Sequence, residues 1–143
     1  MIKRSCSGGV VFHGDSVFLL RNDKGEWVLP KGVIRERRKS EEVALERVRI
    51  EAGLEAEILA AAGSTSYEFY SQTRRQPVCN TILWYVMEAA SPRYRICFEQ
   101  GFTDGDWFPI DKAIERVTYS QDKSLVKVAY AMYEGLKGRE TGA

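Results

Sequence analysis

The stretch Lys31–Leu54, KGVIRERRKSEEVALERVRIEAGL, gathers the charged side chains on which any phosphate chemistry of this protein would rest. Arg47 and Glu51 stand four residues apart, so on a helix they can pair directly. A guanidinium grips phosphate bidentately and keeps its proton. A carboxylate can instead ligate a divalent cation. Upstream, RERRK (Arg35–Lys39) is a basic run. Its plainer and preferred reading is a solvated loop. Its functional reading is a polyphosphate funnel facing Lys31 and the helix N-terminus. Arg74 and Arg75 in SQTRRQP are exposed loop residues first and further phosphate contacts second.

The elements that must hold these groups can be read from local chemistry. Ser7–Phe12 is β-rich, HGDS is a turn, and Val17–Arg21 reads as a second strand. Asn22–Gly25, NDKG, is a hairpin turn because Asn, Asp and Gly tolerate positive φ. Glu26–Leu29 is a short strand that Pro30 ends, and residues 31–39 read as loop. Ser40 offers an N-cap, with Glu41 and Glu42 in a first turn that favours anions. That helix runs to Ala52, Gly53 closes it, and Ala44, Leu45, Val48 and Ala52 share its core face. Strands are expected at Ile58–Tyr70, interrupted near Gly63, then at Val78–Met87 and Arg93–Phe98. FTDGD (Phe102–Asp106) reads as a turn, Ile110–Val117 as a short helix and Gln121–Leu136 as the last helix. Residues 137–143 form a flexible tail. The order predicts one α+β domain over residues 1–143, an α/β/α sandwich with a mixed sheet.

The chain is 44% apolar and 29% charged with net charge +1, the profile of a folded protein without a bulk electrostatic case for nucleic acid or membrane. No apolar run reaches membrane-spanning length and MIKRSCSGGVVF lacks a signal-peptide pattern. Cys6, Cys79 and Cys97 are odd in number and widely spaced, which suggests reduced thiols and a cytoplasmic location. His13, beside Gly14, reads as a turn residue with no partner at metal-ligand spacing.

Gly32, Val48, Glu51, Gly53 and Leu54 fall, without a gap, on the spacing G-x5-E-x7-R-E-(apolar)-x-E-E-x-G-(apolar). With the lead-in WVLPKG (Trp27–Gly32), this stretch resembles the box of the Nudix, or MutT-like, hydrolase family. SYEFY (66–70), ILWYVMEA (82–89) and DWFPIDKA (106–113) extend the resemblance over nearly the whole chain, closest to the diadenosine polyphosphate hydrolase branch. The resemblance implies the Nudix fold and a Mg²⁺- or Mn²⁺-dependent pyrophosphohydrolase in which helical carboxylates hold the metal. The departures fall on those carboxylates. Arg38 replaces the first Glu, Glu46-Arg47 replaces Arg-Glu, and Ile50 replaces the first member of the Glu-Glu pair. Glu51 alone remains as catalytic or metal carboxylate. An arginine about 4 Å from a cation opposes it by roughly 4 kcal/mol at an effective dielectric near 20, and opposes a dication more.

Two accounts of that replacement stand. In one the site has simply decayed, and this carries the greater weight because a motif match does not guarantee a site. In the other, fixed cations (Lys31, Arg35, Arg38, Arg47) stand where metal would be and bind a polyphosphate without cutting it. Tyr70 or Tyr85 is the expected base contact. Among loop acids, Glu99, Asp104 and Asp106 are available, and a relocated site of Glu36 or Glu42 with Glu51 stays open. The functional reading is a protein that binds a nucleoside or dinucleoside polyphosphate with weak or no hydrolysis. It uses Mg or Mn if active and otherwise no cofactor. The alternatives are an active Mg/Mn-dependent pyrophosphohydrolase and a non-catalytic RNA- or protein-interaction module. The net charge argues against nucleic acid, and a homodimer is left open.

Overall fold

A computed structural model of the chain describes residues 1–141, with side chains described through residue 138. Strands β1 (Ile2–His13) and β2 (Ser16–Asn22) meet across the turn at Gly14. The next turn forms as its residues dictate: Asn22 Oδ1 accepts the N–H groups of Lys24 and Glu26, each at 3.0 Å, and Gly25 takes φ 78°. It leads into β3 (Trp27–Val28) and then β4 (Lys31–Val33), a strand inside the stretch expected to be loop. β4 forms because β1 offers it a partner, with Cys6 opposite Val33 and Gly8 opposite Lys31.

Helix α1 (Ser40–Ala52) ends at Gly53 in the left-handed region, φ 65° and ψ 24°, as the sequence requires. Its N-terminus differs from expectation. Ser40 is already helical, and its hydroxyl meets Tyr85 Oη and Glu41 instead of capping an N–H. The buried face is Val43, Ala44, Val48 and Ala52, with Leu45 only half-buried. β5 (Ala56–Ser71) and β6 (Gln76–Ala89) form a long antiparallel pair, in which Gly63 sits at a register irregularity without ending the strand.

Residues 93–98 are not a strand. Their backbone donors turn to the open C-terminal carbonyls of α1, Arg95 N–H to Ala52 O at 2.8 Å and Cys97 N–H to Glu51 O at 3.1 Å. A 3₁₀ turn at Phe98–Gln100 follows. The expected turn at 102–106 is instead part of β7 (Phe102–Pro109), which pairs with β2 from Ser16↔Pro109 to Leu20↔Gly105 and beyond. Helices α2 (Ile110–Arg116) and α3 (Ser120–Thr141) complete the chain. α3 thus runs through most of the segment expected to be tail, and Gly142 and Ala143 lie outside the described residues.

The sheet order is β3-β2-β1-β6-β5, with β4 also paired to β1 and β7 to β2. β1 and β6 run parallel from Ile2↔Val78 to Phe12↔Glu88, which makes the sheet mixed. Gly8 marks where β1 exchanges β4 for β2. A Cβ there would lie 2.4 Å from Pro30 O and 2.7 Å from the Trp84 ring. One sheet face packs Val11, Phe18, Leu20, Tyr85 and Met87 against Ala44, Val48 and Ala52 of α1. The other packs Phe12, Leu19, Trp84 and Val86 against Leu125, Val126, Ala129 and Tyr133 of α3. This is the expected α+β sandwich. Among the described residues no helix is long and apolar enough to cross a membrane.

Candidate functional site

Arg47 and Glu51 project from the last turns of α1 toward β4. Gly32 makes room for the arginine stem, since a Cβ there would stand 2.6 Å from Arg47 Cγ and Cδ. The guanidinium donates to Glu51 Oε2 through Nε at 2.9 Å and Nη2 at 2.7 Å, and Nη2 also reaches Gln100 Oε1 at 2.9 Å. Gln100 arrives because residues 95–97 are tied to the end of α1. Glu51 is 2% exposed. Burial raises its pKa above the ordinary carboxylate value, while the Arg47 charge and the Lys31 main-chain N–H pull the other way. Ile50 is half-buried beside them.

A divalent cation does not fit this arrangement. Glu51 already accepts two N–H donors from Arg47 on one oxygen, and among the described residues no three Asp, Glu, His or Cys side chains converge. Mg²⁺ demands octahedral oxygen ligation, which one engaged carboxylate does not offer.

Next to Glu51 opens a cavity of about 820 Å³ on the α3 face of the sheet. Its floor carries Thr65, Tyr67, Ile82 and Trp84 from β5 and β6. The hairpin around Asn22–Glu26 forms one wall, and Tyr119–Asp122 at the start of α3 forms another. Lys31 lies at the boundary with Glu51 and Gln100, its Nζ 5.8 Å from the Tyr67 ring centroid. Glu26 is held below the usual carboxylate range by hydrogen bonds from Tyr119 and Asn22. The Tyr119 hydroxyl is pushed up to about 12, first by its bond to Glu26. Asp122 is raised to about 6 by burial, against the pull of Lys31.

The residues singled out from sequence divide. Lys31, Glu51 and Arg47 come together at one corner of the cavity. Arg38 does not: it is exposed and bound bidentately to Glu46 at 2.8 and 2.9 Å. Burying neither charge, that bridge straps the 34–39 segment onto α1 and leaves no free fork for phosphate. Arg35 is exposed and does not line the cavity. The two expected aromatics lie outside the cavity lining. Tyr85 is 7% exposed and belongs to the α1 face, where its hydroxyl donates to Glu41, so its ring does not meet the cavity. Tyr70 is 56% exposed and lies outside the cavity lining. The aromatic residues that line the cavity are Tyr67, Phe69, Trp84, Phe102 and Tyr119. Strand alternation already separated Tyr67 and Phe69 from Tyr70, and only pairing with β6 decides which set faces inward.

The loop acids are turned to local backbone. Asp104 accepts the Gly105 N–H and Asp106 the Trp107 N–H, each at 2.7 Å, while Glu99 is exposed. Glu36 and Glu42 are exposed and outside the cavity lining. Sequence reasoning missed Gln100, Tyr119 and Asp122. The one available signal was the acid in the first turn of the last helix.

Similarity to known proteins agrees with this architecture. A Mycobacterium tuberculosis protein provisionally named mutator protein MutT4 is 29% identical over 118 residues, covering 78% of this chain and 44% of that protein. The chain therefore spans less than half the length of that relative. A Caenorhabditis elegans Ap4A hydrolase in a binary complex superposes with TM-score 0.74 at 16% identity, covering 92% of this chain and 98% of its own. A MutT protein from Methanosarcina mazei Go1 gives TM-score 0.72 at 13% identity, over 92% and 96% of the two chains. The Escherichia coli dihydroneopterin triphosphate pyrophosphohydrolase gives 0.68 at 13% identity, over 89% and 96%. At those identities the superpositions speak for fold alone. The NUDIX domain pattern itself matches residues 3–128, and by that match the chain belongs to the NUDIX domain family.

Proposed function

We propose that this NUDIX domain binds a nucleotide or dinucleoside polyphosphate, with weak or no hydrolysis, and meets its phosphates with fixed cations in place of helix-bound metal. One observation carries the reading: the Arg47 guanidinium lies on Glu51 and Gln100 at the cavity corner where Lys31 also stands. Lys31 and the outer edge of Arg47 supply the positive charge for phosphate oxygens. The charge of the cavity confines the phosphates to that corner. Of its lining residues, Asp23, Glu26, Glu51, Glu68 and Asp122 are acidic, against Lys24 and Lys31. The rest of the ligand then lies over Tyr67 and Trp84 toward α3. Mg or Mn enters only if turnover is found.

The test is incubation of the pure protein with diadenosine tetraphosphate, nucleoside triphosphates and ADP-ribose, with Mg²⁺ and with Mn²⁺, alongside calorimetry without metal. Binding without turnover, weakened by Lys31→Gln and by Arg47→Gln, supports the proposal. Rapid metal-dependent cleavage that Glu51→Gln abolishes overturns it in favour of an active pyrophosphohydrolase.

A further inference from the structure

The start of β1 and the far ends of β5 and β6 carry a surface that continues outward from Lys31. The registers Arg4↔Asn80↔Tyr67 and Ile2↔Val78↔Phe69 put Arg4, Tyr67 and Phe69 on one face of these three strands. Buried Asn80 fixes two of them: its side-chain oxygen accepts the Arg4 Nε–H at 2.9 Å, and its amide donates to the Tyr67 hydroxyl at 2.8 Å. The Arg4 guanidinium then lies 5.6 Å from the Phe69 ring centroid. Phe69 lies 5.9 Å from Tyr67 with the ring planes 27° apart, and Lys31 Nζ stands 5.8 Å from Tyr67 on the cavity side. The result is a row of cation, ring, ring and cation: Lys31, Tyr67, Phe69, Arg4. No helix closes over it, and Tyr67 and Phe69 keep 40% and 39% of their surface exposed. Arg74 and Arg75 stand in the exposed turn from β5 to β6, beyond the Phe69 end of the row. Among the described residues, none of these four cations forms an ion pair. Glu68, the one acid between Tyr67 and Arg75, alternates away from the two rings. A net charge of +1 conceals this separation, in which acids gather in the cavity and cations at this end of the sheet.

We infer that this row is a binding surface for single-stranded nucleic acid, a function separate from the reading of the cavity as a nucleotide site. A single strand repeats a flat ring and an anion at every unit, and the row offers rings and cations in the same succession. Unpaired bases stack on Tyr67 and Phe69, and the contact tolerates any sequence because every base has a π-face. Phosphates meet Arg4, Lys31 and the arginines of the turn, releasing their counterions. Only Nε of Arg4 is engaged among the described residues, so its two terminal nitrogens face a phosphate with their donors unspent. Asn80 holds Tyr67 and Arg4 in place before any ligand arrives, which lowers the entropy lost on binding. A duplex keeps its base faces inside the stack and can use the cations alone.

Fluorescence anisotropy without divalent cations tests the assignment, using labelled oligothymidylate and oligouridylate of four and twelve nucleotides and a twelve-base-pair duplex. Either single strand is expected to bind at low salt, the longer more tightly, and at least about tenfold more tightly than the duplex. With three phosphates neutralised, log affinity should fall against log salt with a slope of roughly −2. Phe69→Ala should weaken the single strand about tenfold. Arg4→Gln should weaken it and flatten the salt slope by about 0.7, a change that a purely structural role for Arg4 would not produce. Twelve-nucleotide strands that fail to bind the wild type at low salt overturn the inference. So does a duplex bound as tightly as the single strand, since charge alone would then hold it, and neither result needs a variant. Single-strand affinity unmoved by both Phe69→Ala and Arg4→Gln overturns it too, because the strand would then lie elsewhere.

Discussion

Removing the Arg47 guanidinium would strand a nearly buried carboxylate. Arg47→Ala is expected to destabilise the fold by about 2–3 kcal/mol at pH 7, below the usual range for breaking a buried pair because Arg47 is partly exposed. The loss should shrink as pH falls, since the buried Glu51 carboxyl favours its protonated form. Urea unfolding at pH 7 and pH 5 measures both, and a loss independent of pH would separate Arg47 from Glu51. Restoring acids tests the helical frame. Arg47→Glu combined with Ile50→Glu places two carboxylates beside Glu51, and Mg²⁺ binding should appear by calorimetry. Unchanged Mg²⁺ affinity would mean that these positions do not share an arc. Asp122 provides the third residue-scale prediction. Its folded pKa of about 6 lies above the ordinary 3.8, so the fold prefers the protonated acid and loses that preference as pH rises from about 4 to 6. Asp122→Asn stays neutral. Its unfolding free energy in urea should match the wild type near pH 4 and exceed it above pH 6, by at most about 3 kcal/mol and less to the extent that water reaches the carboxylate. A constant difference across that window would refute the burial of Asp122.

At the scale of elements, Gly8 is a position where the neighbouring backbone leaves no room for a side chain. Gly8→Ala puts a methyl against Pro30 O and the Trp84 ring, so β4 must move from β1 or Trp84 from the floor. The expected cost is about 2 kcal/mol or more. A lowered Tm with a shifted tryptophan emission would record it, and an unchanged Tm would mean that β1 and Pro30 are not so close. Elements fixed by their own residues were legible in the sequence. The Asn22–Gly25 turn carries its own acceptor and its own glycine, and α1 carries its own stop at Gly53. Elements made by distant partners were not. β4 exists because β1 lies beside it, and β7 overrides the turn chemistry of TDGD by pairing with β2. Residues 93–98 look extended and β-prone, yet their donors satisfy carbonyls of α1. The site follows the same rule. Arg47 and Glu51 were readable as neighbours because four residues on a helix make them so. Gln100 and Asp122 join them only through the return of the chain over α1 and across the sheet.

Across the whole molecule, α3 serves the core and the cavity together. It covers the sheet with Leu125, Val126, Ala129 and Tyr133, and Tyr133 stacks on Phe12 with ring centroids 4.8 Å apart. Its first turn supplies Asp122 to the cavity, and Lys123 Nζ donates to the carbonyls of Ile114 and Glu115 near the end of α2. Burying three large side chains and an alanine methyl is worth roughly 5–10 kcal/mol, comparable to the net stability of an ordinary domain. Removing residues 120–143 should therefore abolish cooperative unfolding instead of trimming an appendage. Thermal denaturation followed by near-UV circular dichroism should show no sharp transition, and a hydrophobic dye should bind the uncovered face around Phe12, Trp84 and Val86. A truncated chain that still melted cooperatively would mean that α1 and the mixed sheet hold themselves, with α3 a detachable wall of the cavity. The two outcomes differ for function as well. If α3 is part of the core, any ligand that binds in the cavity it walls contacts an element that also closes the sheet, and its binding would stabilise the entire domain against unfolding by mass action.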